Sequence, residues 1–367
     1  MKTSLSLIFL VILVSITTSA IAEDWNQRLY DSVYKDKNYR TVVDIDSVRL
    51  SLSNGADPNA IIRKGKYGES ILSKYVREST SGSGGDSVRT EAVRKLVEAL
   101  GILFQNKAKL QANYDDTILF YPIAQGHYDL VRLLLDNGAD PKSWPYAKIG
   151  RHYKLSPIEE AARSGHERVI DLLAGRGAKR PGPAETAQLR FVYLACFGNV
   201  NNLKEQLAKG AKVNEHDPND ELALLRAISI LGDDPRRNSN VMFLLNEGAN
   251  VNLSGYDPLI PRTTFPLHSA VYYTSYGFNA SKRRDLSYDE KILNELIKRG
   301  ADLSAIDEKG QTPLHIAATM NNLYALRLFL PLGANASIRD RSGKMALDYA
   351  KSPEAISLLK QYGAQGK

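Results

Sequence analysis

The sequence predicts an all-α solenoid, built from pairs of short antiparallel helices. Three observations predict it. A Gly-Ala pair recurs at Gly55-Ala56, Gly138-Ala139, Gly177-Ala178, Gly210-Ala211, Gly248-Ala249, Gly300-Ala301, Gly333-Ala334 and Gly363-Ala364, with Lys107-Ala108 in a degenerate ninth place. Glycine reads as a helix stop there, since it takes the left-handed conformation without a Cβ penalty. Helix-opening slots at Thr117, Ser156, Leu189 and Thr312 each stand 21 residues before such a glycine, while the steps between the nine places, Lys107 included, vary from 30 to 52. A constant core with variable connections is how stacked repeats behave, because insertions go to loops. The third observation is the stretch Gly310–Ala334, which spells out one complete helix pair.

From the start of the chain, residues 1–22 differ from the rest. Lys2 precedes an apolar run from Leu5 to Ile16, and Ala20-Ile-Ala22 fits a small-x-small cleavage pattern. This reads as a secretory signal peptide cut after Ala22, and no later stretch is apolar enough to span a bilayer. Residues 23–43 are expected to form an N-terminal capping helix, with Arg28, Lys35, Asp36 and Lys37 turned outward. Repeats then fill 44–364, and 365–367 is a tail. Pro122 falls inside an expected helix, where it should remove a bond and bend the turn. Lys344–Lys367 should close the far end, its last repeat being shortened.

The stretch around Thr312 is the clearest. Thr312 should cap a helix by accepting a bond from a first-turn N–H, and Pro313 stands where a missing N–H costs nothing. Leu314, Ala317 and Ala318 form a small apolar face. Asn321-Asn322 is a turn, and Leu323, Leu326, Leu328, Phe329 and Leu330 supply the second helix's stripe. Gly333 ends it. Related segments are Phe265-Pro266-Leu267-His268-Ser269-Ala270 and Ser156-Pro157-Ile158, with weaker versions at Leu189–Ala195 and Leu222–Ile228.

Thr-Pro-Leu-His-x-Ala in this phase resembles the ankyrin repeat family, whose period is about 33 residues. The resemblance covers about 44–364. It implies an ankyrin-repeat solenoid with β-hairpin-like finger loops between successive helix pairs, and a concave face made of these fingers and the first helices, where family members usually bind protein partners. It implies too that His268 and His315 bond to neighbouring backbone and to the motif's threonine. The structural motif residues are then Pro266, His268, Thr312, Pro313, His315 and Gly333. An export signal on this family points to a bacterium and its periplasm, with secretion beyond the cell as the alternative.

Five insertions interrupt the phase, at 79–87, 141–155, 232–240, 253–264 and 274–287. The first, third and fifth lie between the helices of one repeat; the first has linker composition. The other two lengthen fingers and are aromatic and basic. Trp144, Tyr146, Arg151 and Tyr153, with His152, stand in one, and Tyr256 and Arg262 in the other. Trp, Tyr and Arg dominate binding hot spots, so these six are the candidate partner-binding residues. Tyr272, Tyr273 and Tyr276 read as core.

The composition excludes several classes. Net charge is +7, falling to about +6 without Lys2, but the Lys and Arg residues are scattered and argue no nucleic acid. Cys196 is the one cysteine, so no internal disulfide forms; it reads as a buried structural thiol. The glycines at 82–85 lack the Gly-Lys-Ser/Thr of a phosphate cradle, and Asp233-Asp234 lacks the alternation of a calcium loop. His127 and His166 read as exposed turn residues. The expectation is a monomeric, non-catalytic protein-binding scaffold without metal or cofactor. The rivals are a secreted effector acting on host proteins and, less in keeping with the residues, an enzyme with a site in the insertions.

Overall fold

The computed structural model describes residues 24–35, 41–64, 67–80, 86–111, 118–142, 154–229, 235–257, 260, 262–276 and 287–363. The expected signal segment lies outside them. The chain divides into two compact units: residues up to 151 with 155–180, and 152–154 with 181–367.

Among its described residues the first unit holds four helix pairs. Helix α1 (24–31) leads through strand β1 (Val33–Lys35) and strand β2 (Thr41–Val43) to α2 (Ile45–Ser53). The strands pair antiparallel, Tyr34 opposite Val42. The segment 23–43 is therefore a helix followed by a small sheet, not one capping helix. Val33 and Tyr30 are fully buried, which anchors that turn of chain. A second hairpin, β3 (Ile61–Lys64) with β4 (Tyr67–Ser70), leads into α3 (Ile71–Thr80) and α4 (Asp86–Gln105). Then come α5 (Phe120–Ala124) with α6 (Tyr128–Asp136), and α7 (Pro157–Ser164) with α8 (Glu167–Gly175). Helices α3, α5 and α7 pack in one layer, and α2, α4, α6 and α8 in the other.

Pro122 does not bend a helix. Helix α5 begins only at Phe120, so Pro122 sits in its first turn, where backbone N–H groups have no intrahelical partner to lose. His127 and His166 are half-buried, not exposed. The His166 ring bonds the Ala124 carbonyl at 3.0 Å, tying one repeat's turn to the next.

Among its described residues the second unit holds five pairs: α9 (Pro183–Phe197) with α10 (Val200–Ala208), α11 (Ala223–Ile228) with α12 (Pro235–Asn246), α13 (Pro266–Tyr276) with α14 (Ser287–Lys298), α15 (Pro313–Thr319) with α16 (Leu323–Phe329), and α17 (Ala346–Tyr349) with α18 (Pro353–Gln361). Helices α9, α11, α13, α15 and α17 stack into one row. Their second helices cover them, and Phe191, Leu203, Leu244, Leu267, Leu293 and Leu326 fill the seam between the layers. Full burial of each such side chain is worth about 1.5–3 kcal/mol.

Helix α9 starts at Pro183, ahead of the expected slot at Leu189. Glu185 reaches back to the Gly182 N–H at 3.2 Å, and Pro183 supplies a preset first-turn φ, so the cap forms earlier. Three of the insertions are shorter than the sequence spacing suggests. Ser79, Thr80, Asp86 and Ser87 are helical, as are 235–240, Thr274–Tyr276 and Ser287. Asn240, expected in an insertion, is fully buried; its side-chain amide donates to the carbonyls of Ala195 and Gly198, both at 3.1 Å. The parts of these insertions at 81–85, 232–234 and 277–286 lie outside the described residues.

Helix ends follow one rule. The glycines closing eight pairs, from Gly55 (φ 90°) to Gly363 (φ 89°), all adopt positive φ, and Lys107 takes φ 67° in the ninth place. Among the described residues, no helix is long and apolar enough to cross a membrane.

Candidate protein-binding groove

The fingers of the second unit are built by a repeated aspartate turn. Asp307 Oδ1 accepts the N–H groups of Lys309 (2.8 Å) and Gln311 (2.9 Å). Asp340 does the same for Ser342 (2.9 Å) and Lys344 (3.1 Å), and Asp217 for Asn219 (2.9 Å) and Glu221 (3.0 Å). Each aspartate N–H also bonds the carbonyl four residues on, closing a tight hairpin. A short polar side chain that binds backbone two residues on is the ordinary chemistry of such turns.

Histidines then tie fingers to helices. His315 Nδ1 accepts from the Thr312 hydroxyl (2.8 Å) and the Thr312 N–H (3.2 Å), and Nε2 donates to the Lys344 carbonyl (3.1 Å). The Thr312 hydroxyl thus donates to the histidine; it does not accept from a first-turn N–H. Burial holds His315 below its usual range, outweighing the Lys344 carbonyl and the nearby carboxylates, which favour the charged ring. His268 Nε2 bonds the Gln311 carbonyl at 2.8 Å, but its cap position is Phe265, so Nδ1 has no threonine to meet. Burial lowers its pKa to about 4.

Strand β5 (Gly255–Asp257) pairs with β6 (Arg262–Thr264) in the finger ahead of α13. Asp257 is buried beneath it, accepting from Ser269 (2.9 Å) and Tyr273 (2.8 Å). Beside this finger an open groove of about 900 Å³ runs across successive fingers and the first helices behind them. Its apolar floor is Ile260, Ile316 and Met320, flanked by Tyr272 and Tyr349. Its polar rim is Arg262, Glu308, Lys309, Asp340 and Arg341.

The expected binding residues separate on this frame. Trp144, Tyr146, Arg151 and Tyr153 lie outside the described residues. Tyr256 is half-buried; its N–H donates to the Asp220 carbonyl at 2.7 Å, and burial with nearby carboxylates pushes its hydroxyl pKa up. It does not line the groove. Arg262 does, but its side chain is only 11% exposed and its Nε stands 3.4 Å from the fully buried Asp307 carboxylate. It braces one finger against the next. Pro266, His268, Thr312, Pro313 and His315 are buried in the helix openings, and Gly333 closes α16 at φ 91°.

Sequence reasoning missed Lys309, Arg341, Met320 and Tyr349, and assigned Tyr272 to the core although it is half-buried on the groove wall. A signal existed. Tyr272 and Thr319 both follow a helix-opening proline by six residues, so the repeat register places them on one face. Cys196 is also half-buried where full burial was expected, and burial pushes its thiol up, away from reactivity.

A family model described as ankyrin repeats in three copies matches residues 278–367, and a single ankyrin repeat model matches 114–143. The chain carries ankyrin repeats. It is 39% identical over 67 residues to the Ankyrin repeat and LEM domain-containing protein 1 homolog of Caenorhabditis elegans, a match covering 18% of this chain and 9% of that protein. It is 23% identical over 323 residues to the E3 ubiquitin-protein ligase KEG of Arabidopsis thaliana, covering 78% of this chain and 18% of the ligase. It is 27% identical over 259 residues to the Poly [ADP-ribose] polymerase tankyrase of Caenorhabditis elegans, covering 68% and 10%. The chain thus spans less than a fifth of each of these relatives, two of which carry enzyme names. Ankyrin repeats imply a scaffold for protein–protein interaction.

Proposed function

We propose that this ankyrin repeat protein is a non-catalytic scaffold that binds a protein partner in the groove between the fingers and first helices of its second unit. The observation that carries the reading is the groove's make-up. An apolar floor flanked by two tyrosines and rimmed by charge has the anatomy of an interaction surface. Its aspartate, Asp340, is tied into a finger turn, which suits rigid display more than proton transfer. Because packed helices hold the groove, little order is lost on binding. The compartment proposed is the periplasm, on the strength of the apolar leader and its Ala20-Ile-Ala22 cleavage pattern.

The test is affinity capture from a periplasmic extract with residues 23–367, beside a Met320→Arg bait that fills the floor with a charge. A partner held by the first and lost by the second, then retitrated as a purified protein, supports the groove. Equal retention overturns it. A mature chain recovered from the medium, not the periplasmic fraction, would move the address and the partners outside the cell.

A further inference from the structure

The rim of the groove is unbalanced in a way the net charge does not show. Its carboxylates are already engaged. Asp340 accepts four hydrogen bonds from Ser342, Lys344 and Tyr349, the last at 2.5 Å. Burial alone would raise its pKa, but these bonds outweigh burial and hold the carboxyl well below the usual range. Glu308 accepts the Thr263 N–H at 3.0 Å. The two exposed cations are not engaged: among the described residues, neither Lys309 nor Arg341 has a side-chain hydrogen bond or ion pair.

The same two cations are held side by side. The Arg341 N–H donates to the Lys309 carbonyl at 3.0 Å, locking adjacent fingertips together. Gly310 permits that approach, since a Cβ there would stand 2.9 Å from the Arg341 nitrogen. Two unpaired positive charges on a fixed backbone, at the edge of an apolar trough, form a site of definite sign.

Resting on the groove reading above, we infer that the occupant is an acidic peptide segment of a partner protein. Its carboxylates meet Lys309 and Arg341, while an apolar side chain lies over Met320 and Ile316 between the tyrosines. Charge complementarity selects the sign, and burial of the apolar anchor supplies most of the grip.

The test is a display selection of random twelve-residue peptides on residues 23–367. The expected peptides carry Asp or Glu beside Leu, Met or Phe. Binding of a synthesised winner, read by fluorescence anisotropy, should weaken by about tenfold or more in a Lys309→Glu, Arg341→Glu variant. It should also fall as salt rises with the wild-type chain, a readout independent of how the variant folds. Neutral or basic winners, an empty selection, or acidic winners indifferent to charge reversal and salt would each overturn the inference. Neutral winners still lost on Met320→Arg would sink the acidic occupant and leave the groove. Acidic winners insensitive to Met320→Arg would sink the groove itself.

Discussion

Asn322 joins two repeats through one buried side chain, and Asn322→Ala should separate them. Its Oδ1 accepts the Ala325 N–H at 3.0 Å, capping α16. Its Nδ2 donates to Thr274 Oγ1 (2.9 Å) and Ser275 Oγ (3.1 Å) on α13 of the preceding repeat. The side chain is 2% exposed. Losing the cap costs about 1 kcal/mol. Two neutral hydrogen bonds add about 0.5–1 kcal/mol each. Both hydroxyls keep a bond to the Val271 carbonyl, so neither donor is orphaned and the sum stays near 2–3 kcal/mol. A repeat array can open in parts, so a single melting curve is the wrong measure. Amide hydrogen exchange is the right one. Protection in α15 and α16 should drop by roughly 30- to 150-fold, with α10 little changed. Asn322→Asp, which keeps the acceptor and loses the donors, should retain the cap's share. A drop below about threefold, or an equal drop in α10, would refute the reasoning.

Three further outcomes are expected. Gly310→Ala combines a Cβ 2.9 Å from the Arg341 nitrogen with a φ of 74°, so it should open the fingertips, weaken partner binding and destabilise by about 1 kcal/mol or more. Denaturant titration and anisotropy would check both effects. His268 has its pKa lowered to about 4, against about 6.5 unfolded. Its contribution is therefore complete above the unfolded pKa and lost as pH falls towards 4, because only the unfolded chain takes the proton in that window. His268→Gln should flatten the stability–pH curve there, and an unchanged slope would count against it. Asp340 lies below the ordinary carboxylate range, so its share of stability is present above the unfolded carboxylate pKa and fades on further acidification. Tyr349→Phe removes one of its donors, and should lower stability at neutral pH while shrinking the acid-induced loss, read by urea midpoints at pH 7 and pH 3.

Much of the fold was legible because its punctuation is local. A glycine needs only its own φ, and Pro313 only its place at a helix start; even Lys107 was recognisable by phase before its φ of 67° was seen. Boundaries slipped where a neighbouring residue took over the cap. Glu185 moved the start of α9, and the helix that holds Pro122 opens only at Phe120, behind Leu119 at the cap. The site was less legible. Hot-spot chemistry drew attention to Tyr256 and Arg262, yet both are held by other fingers.

What the sequence determined by itself was the repeat: where helices stop, which faces are apolar, and which residues open each pair. These depend on spacings of a few residues and on single-residue backbone preferences. What the tertiary structure alone decided was which charges remain available. Arg262 and Lys309 are both finger cations in the sequence, but Asp307 stands against one and leaves the other in solvent. Tyr272, Met320 and Tyr349 come from successive repeats and meet only once those repeats are stacked. A groove is a property of neighbours distant in the chain, and its electrostatics depend on which partners burial has already assigned.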